Sequence, residues 1–271
     1  LGRFGLGLKT ASFAQCRRLT VATVTDEKEK SIRVWDLDVV AQTGELRLLT
    51  DASEDAMDSI NENLYKSNKS GTIVRWDLLD KMVGDVEEDD EVARKVFFDT
   101  AESIKLHISM VFHRFFTGPN KIKIFLGNDS QPVLPWDPFM EDEEMTMRLE
   151  QESLKLFENS ILVRPFVLPH HTNISEEKHS DGSGIKGWNA HQGFYIYRNR
   201  RLLVSGSWLG LRQLKQEEHT KLARIQIDLP NSLDKEWEID VKKSEARPPS
   251  GIRNDLARIA TATRKHATEV Y

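Results

Sequence analysis

The sequence is poor in cysteine: Cys16 stands alone in 271 residues. A lone thiol excludes an intrachain disulfide framework and a cysteine-rich zinc site, and it fits a reducing compartment, so the cytoplasm is the expected location, or the nucleus in a eukaryote. No apolar run approaches the length needed to cross a bilayer, which sets a membrane span aside. There is no excess of positive charge either. The formal net charge is −5 and the pI is near 6.0, so no global pull toward nucleic acid operates, although a local basic face can survive in an acidic total. The chain begins without methionine, at a glycine loop with no strand or helix before it, and so reads as a fragment. Its length suits two ordinary domains.

What is present in quantity at the outset is glycine. The chain opens LGRFGLGLKTASFAQC, with Gly2, Gly5 and Gly7 ahead of a helix over about Lys9 to Gln15. Glycine is costly inside regular structure, so a cluster of it needs a steric reason: a positive φ or a group lying against the backbone. Two readings stand level on the pattern alone. Either the loop turns its N–H groups inward as a cradle for phosphate oxygens, or it is a plain turn leading into a helix. A Rossmann loop is disfavoured because no strand precedes the glycines and no βαβ unit follows. Lys9 does not sit in the frame of a P-loop.

Beyond the opening helix, Arg17 to Val24, Ser31 to Val40 and Glu45 to Leu49 read as three antiparallel strands of a meander, with a turn at Thr43-Gly44. Ser53 to Asn63 reads as a helix capped by Ser53, and Gly71 launches GTIVRWDLL as a further strand. The acidic run Asp85 to Glu91 suits a solvated helix start. Behind it Val92, Val96, Ile104, Ile108, Val111 and Phe115 recur at helical spacing, so a long amphipathic helix is expected to end near Gly118-Pro119-Asn120. A domain boundary is placed just before that helix, giving residues 1–84 and 85–271. In the second part the expectations are a strand at Lys121 to Leu126 and, at Glu141 to Glu158, a charged helix or partly mobile segment. A strand follows at Ile161 to Leu168, then a mobile loop at Ser175 to Gly187 and a hairpin from Gln192 to Val204 around Arg198-Asn199. Strands at Ala223 to Leu229 and Trp237 to Val241 precede a closing helix from Ile252 to Tyr271, behind Pro248-Pro249 and Ser250. The fold class is α+β.

GRFGLGLKTASF resembles the second glycine box of the GHKL ATPases (gyrase B, heat-shock chaperone, histidine kinase and MutL types), which lies beside the nucleotide lid; Thr10 stands where the family has serine. The MORC version shares Arg3, Phe4 and Lys9 relative to the glycines, and Gly71-Thr72 stands where the family opens its next strand with Gly-Thr. The stretch GFYIYRNRRLL at Gly193 to Leu203 also resembles a MORC segment, and the helix and strand at Val92 to Phe116 and Lys121 to Leu126 resemble the start of a MutL or MORC transducer domain.

The resemblance implies the C-terminal part of a Bergerat-type α/β sandwich, followed by a transducer domain of the ribosomal-protein-like type. It implies ATP and Mg2+ as cofactors. Gly2, Arg3, Phe4, Gly5, Gly7, Lys9, Thr10 and Ser12 would sit at the phosphates, and Thr72 near the adenine. A transducer lysine would reach the γ-phosphate, with Lys243 first, Lys242 beside it and Arg247 if the alignment shifts, all within EIDVKKSEARPP. No metal ligand is assigned within the chain: the magnesium-binding asparagine, the water-activating glutamate and the adenine-binding aspartate of the family would all precede Leu1, so this piece is expected to be inactive alone. The implied activity is that of an ATP-driven conformational clamp that dimerises on ATP and works in connection with DNA. The alternative is a non-catalytic interaction or DNA-clamp module that keeps the fold without turnover.

His170, His171 and His179 fit zinc geometry poorly and read as surface histidines. Cys16 reads as a buried thiol on an apolar helix face. Tyr195, Tyr197, Arg198, Arg200, Arg201 and Trp208 interleave aromatic and basic residues as a nucleic-acid surface would, but a hairpin with a buried face and a basic tip explains them more plainly.

Overall fold

The computed structural model describes residues 7–67, 69–80, 90–211, 214–233, 236–238 and 246–271. The chain divides into two compact units, Leu1–Phe98 and Asp99–Tyr271.

In the first unit a three-stranded antiparallel sheet has the order β2-β1-β3, with β1 (Arg18–Val24) between β2 (Lys30–Asp36) and β3 (Gly71–Asp77). Alternation along β1 assigns its residues to two faces. Ala22 and Val24 point to the side closed by α3 (Glu54–Ile60) and the π-helical turn that continues it (Asn61–Tyr65), where Ile60 and Leu64 complete a small core. Gly71 packs close on that side: a Cβ there would stand 3.2 Å from Leu64 Cδ1, a tight contact. Leu19, Val21 and Thr23 point the other way, toward the side where α1 (Gly7–Phe13) lies. Cys16 is buried, as its apolar setting suggested.

Three expectations for this unit are corrected. The strand read from Ser31 stops at Asp36, whose carboxylate accepts the Asp38 N–H at 2.9 Å and starts α2 (Leu37–Thr43). Gly44 then ends α2 in the left-handed conformation, φ 73°, which a glycine adopts without strain. Glu45 to Leu49 contributes a single bridge, Leu49 to Val34, and the third strand of the sheet is β3 instead.

The helix α4 (Glu91–Val111) forms where expected, but of its apolar stripe Val92, Val96 and Ile104 are exposed and only the C-terminal end, with Met110 and Val111, is buried; one 3₁₀ turn at His113–Phe115 follows it. The acidic run before it, over 85–89, lies outside the described residues. The second unit is built on a six-stranded mixed sheet. Its path is β4-β6-β9-β7-β8, and β4 (Met147–Arg148) and β5 (Glu152–Leu156) share the outer edge of β6 (Asn159–Val167). The strand β9 (Ala223–Leu229) pairs antiparallel with β6 and parallel with β7 (Gly193–Arg198), and β7 pairs antiparallel with β8 (Arg201–Ser207). Asn199 and Arg200 form the hairpin tip, both at positive φ, 47° and 69°, which is the geometry a two-residue loop needs to follow strand twist.

Elsewhere in this unit the residues go against expectation. Glu141 to Glu158 holds β4 and β5 rather than a helix: Leu154 and Leu156 are buried while Ser153 and Lys155 face solvent, a period of two that the charges masked. Ser175 to Gly187 is ordered as α5 (Glu176–Gly182), with Ser175 Oγ accepting the Lys178 N–H at 3.3 Å. Lys121 to Leu126 forms no strand. It is tied only by isolated bonds, Ile122 N–H to Phe115 O and Ile124 O to Val133 N–H, so no ladder develops. Trp237 is a buried turn residue, and 239–241 lie outside the described residues. The closing helix α6 (Ser250–Val270) begins two residues before its first apolar residue and seals one face of the sheet with Ile252, Leu256, Ile259 and Ala260.

Candidate functional site

The site builds up from the open face of the first sheet. Register places Trp35, Leu19 and Trp76 in one row across β2, β1 and β3; Arg33, Val21 and Val74 in the next; and Ser31, Thr23 and Thr72 in the last. The helix α1 lies over the first row. Lys9 Nζ stands 4.6 Å from the Trp35 ring centroid, a cation–π contact, and Ser12 Oγ accepts the Trp76 Nε1–H at 2.9 Å. One tryptophan on each flanking strand thus grips the helix. Beyond it the face is open: Val74 is 45% exposed and Trp76 38%.

The predicted residues divide by what they do here. Lys9 and Thr10 sit on α1, and the Thr10 hydroxyl also reaches Gly7 O at 3.4 Å. Thr72 shares their face, four residues or about 13 Å along β3 from Trp76 at the usual strand rise. Ser12 is fully buried and its hydroxyl holds Trp76, which makes it an anchor for α1 rather than a group facing the open floor. Gly2, Arg3, Phe4, Gly5, Lys242 and Lys243 lie outside the described residues. Arg247 is exposed in the second unit, its backbone N–H donating to Trp237 O.

Arg33 was missed. It projects onto the same open floor, and the signal was available, since alternation along β2 places it between Ser31 and Trp35. The three rows hold that arginine and no carboxylate, so the floor with Lys9 above it favours an anion. Four acids of this unit are engaged at one end of the sheet. Arg17 bridges Asp38 and Asp80, and these bonds raise its pKa further; Arg18 meets Asp36, and Arg75 meets Asp77. Burial pushes the Asp36 carboxyl up, but Arg18 and the Asp38 N–H together hold it below its ordinary value. A phosphate therefore fits the donors present, whereas a magnesium ion finds no carboxylate on this floor. Among the described residues no cluster of three metal-ligating groups occurs.

In the second unit the hairpin tyrosines are shut away. Tyr195 and Tyr197 are fully buried and Trp208 is nearly so, which removes them as stacking platforms for bases. Arg200 donates to Arg114 O and lies over Phe115, and Arg201 lies over Phe112. His170 and His171 rings stand 4.0 Å apart, and His179 stacks on Trp188 at 5.0 Å.

Comparison with known proteins bears on the first unit. Residues 1–72 match the family model described as Histidine kinase-, DNA gyrase B-, and HSP90-like ATPase, which supports the GHKL superfamily for that stretch. No curated protein matches the chain. No helix among the described residues is long and apolar enough to cross a membrane.

Proposed function

We propose that residues 1–84 are the lid-side part of a GHKL ATP-binding domain and that residues 85–271 are the transducer that reads its nucleotide state. The observation that carries this is the match over residues 1–72, and the carboxylate-free floor under Lys9 agrees with it. Lys9 and Thr10 hold phosphate oxygens together with the glycine amides of the opening loop, and Thr72 contacts the base end of the nucleotide. Trp35 and Ser12 act indirectly: the first holds the Lys9 ammonium over the sheet, and the second keeps α1 in place through Trp76. Magnesium would supply positive charge that offsets the phosphates; none of the described residues is assigned to it.

Lys243, with Lys242 beside it, approaches the γ-phosphate and tells ATP from ADP. In the intact protein this couples ATP binding to dimerisation and to an ATP-driven clamp motion, with DNA as the associated polymer by analogy of fold alone. Hydrolysis is then mostly positioning and charge stabilisation, for which each fixed cation matters.

The test is ATP binding and turnover by the full-length protein. Lys9→Ala is expected to weaken ATP binding about tenfold or more, the scale of one lost hydrogen bond to a charged group, and to cost about 1 kcal/mol or less of stability through the lost Trp35 contact. Lys243→Ala is expected to leave ADP binding intact and to slow hydrolysis by about 10²–10³. Unchanged ATP affinity in Lys9→Ala, with the wild type binding tightly, would refute the reading.

A further inference from the structure

A cleft in the second unit lies apart from the nucleotide floor and does not depend on that reading. It encloses about 710 Å³ between the C-terminal half of α4, the loop 134–143 and the helix α5 with the turn that follows it. Volumes of this order suit a ligand the size of a few side chains.

Its floor is built in advance. Trp136 donates its Nε1–H to Asp181 O at 2.7 Å and packs against the His191 ring at 5.0 Å. His191 is fixed in turn by the Tyr195 hydroxyl and by the Lys186 N–H on Nε2, and burial followed by the nearby Arg224 charge pushes its pKa down to about 3, so it is neutral. The wall admits no side chain. A Cβ at Gly184, whose φ is +61°, would stand 2.7 Å from His191 Nε2 and from Trp136 Cζ2, and one at Gly182 would stand 2.9 Å from Met140 Sδ and Trp188 Cη2.

The rim is apolar and in water: Leu134 is 72% exposed, Leu106 43% and Ile185 41%. Exposed aliphatic side chains gathered round a concave site mark a binding surface more than scattered ones do. The charges are one-sided. Asp137, Asp142, Glu143 and Asp181 line the cleft against Lys178 alone, and Lys178 already pairs with Glu143. Asp137 is held in place by the Phe139 and Glu141 N–H groups at 3.0 and 2.7 Å.

We propose that this cleft binds a basic peptide segment of a partner protein, with a lysine or arginine directed to the Asp142 and Glu143 carboxylates and a neighbouring aliphatic residue set against Leu106, Leu134 and Ile185. Lysine and arginine suit both requirements at once, because their stems cover apolar surface while the head reaches a carboxylate, and arginine can also lie on the Trp136 ring. A phosphorylated or acidic ligand meets repulsion here. A wholly apolar one would cover the carboxylates and leave them without partners.

The experiment is calorimetric titration of the full chain with the acetylated, amidated peptide ALRKLA and with its charge-reversed counterpart ALEELA, in low and high salt. Binding of the basic peptide alone is expected, weakened by salt. It should fall about tenfold or more in the double variant Asp142→Asn/Glu143→Gln, and by a similar factor in Leu134→Ser, as each removes one half of the recognition. Leu134 and Asp142 are exposed and Glu143 is half-buried against Lys178, so an unchanged unfolding midpoint checks that the variants fold. No heat with the basic peptide at millimolar concentration, equal affinity for both peptides, or undiminished binding in the double variant would each overturn the proposal.

Discussion

The two faces of the six-stranded sheet are made by alternate residues of the same strands, yet they do opposite things. Phe194, Ile196, Ile225 and Ile227 turn toward α6 and are buried in an unbroken apolar core with Ile252, Leu256 and Ile259. Their immediate neighbours Tyr195, Tyr197, Arg224 and Gln226 turn the other way and are just as buried, among Met110, Phe139 and Phe166. Equal burial here does not mean equal energetics. Apolar area removed from water stabilises directly, whereas each polar group on the far face gives up hydration that its new partners must restore. The first face holds the unit together, and the second supports the cleft, since His191, Tyr195 and Arg224 lie beneath Trp136. The first unit shows a simpler form of the same division, with one face of its sheet closed by Ile60 and Leu64 and the other left open under Lys9.

The comparison breaks most visibly on the α6 side. Ile225→Ala removes a fully buried side chain from the middle strand of that core, and a loss of about 2–5 kcal/mol in unfolding free energy is expected by urea denaturation. A loss under 1 kcal/mol would mean that α6 is not seated as described.

Acid sharpens the comparison next, because the two most strongly shifted histidines lie on the polar side. His113 and His191 are both pushed down to about 3, His113 by burial and then by the Arg114 charge, while their unfolded value is ordinary. Below about pH 6.5 the unfolded chain therefore takes up protons that the folded chain refuses. Their contribution is complete above that pH and declines as pH falls toward 3, by up to about 1.4 kcal/mol per pH unit for each histidine. Between pH 6.5 and 5 the two together are worth up to about 4 kcal/mol. Burial raises Asp137 and Glu141, which acts in the opposite direction, as the folded state then binds protons more readily, but only nearer the carboxylate range. Denaturation at pH 7 and pH 5 measures the slope, and His113→Gln should reduce it by one proton; an unchanged slope would show that His113 is not held neutral.

How far these faces were legible in the sequence depends on how local the signal was. The strand β9 was readable to the residue and the hairpin to within three, with its tip one residue later than expected, at Asn199-Arg200, because alternation is a property of a short stretch. The closing helix was legible for the same reason, with prolines ahead of a repeating apolar stripe. The strand β5 was hidden by the charges on its solvent side, and α5 was taken for a mobile loop because glycine and polar residues were read as freedom. Gly182 and Gly184 are there for the opposite reason: tryptophan, histidine and methionine side chains pack where their Cβ atoms would be. At the open floor of the first sheet the glycine box singled out Lys9. Its seat on Trp35, and the engagement of Ser12 by Trp76 across 64 residues, are long-range facts that no local pattern contains. The peptide cleft was invisible for that reason as well, being assembled from three distant segments.

The smallest effect is expected where the polar face looks most costly. Arg224 is completely buried, and the described residues offer its guanidinium no carboxylate. Nη1 donates to His191 O and the Tyr195 hydroxyl, while Nε and Nη2 have no hydrogen-bond partner, and burial lowers its pKa. A buried charge in that state contributes little net stability, and an apolar side chain of similar length can replace it without loss. Arg224→Met leaves no acceptor stranded, because the Tyr195 hydroxyl still donates to His191 O at 2.7 Å. The change in unfolding free energy is therefore expected to lie within about 1 kcal/mol of zero, of either sign. Basic-peptide binding in the cleft should persist in the same variant, since Trp136 keeps its bond to Asp181. A loss above about 3 kcal/mol, the size seen when one member of a buried ion pair is removed, would show that Arg224 is paired after all and that the polar face is held together by charge.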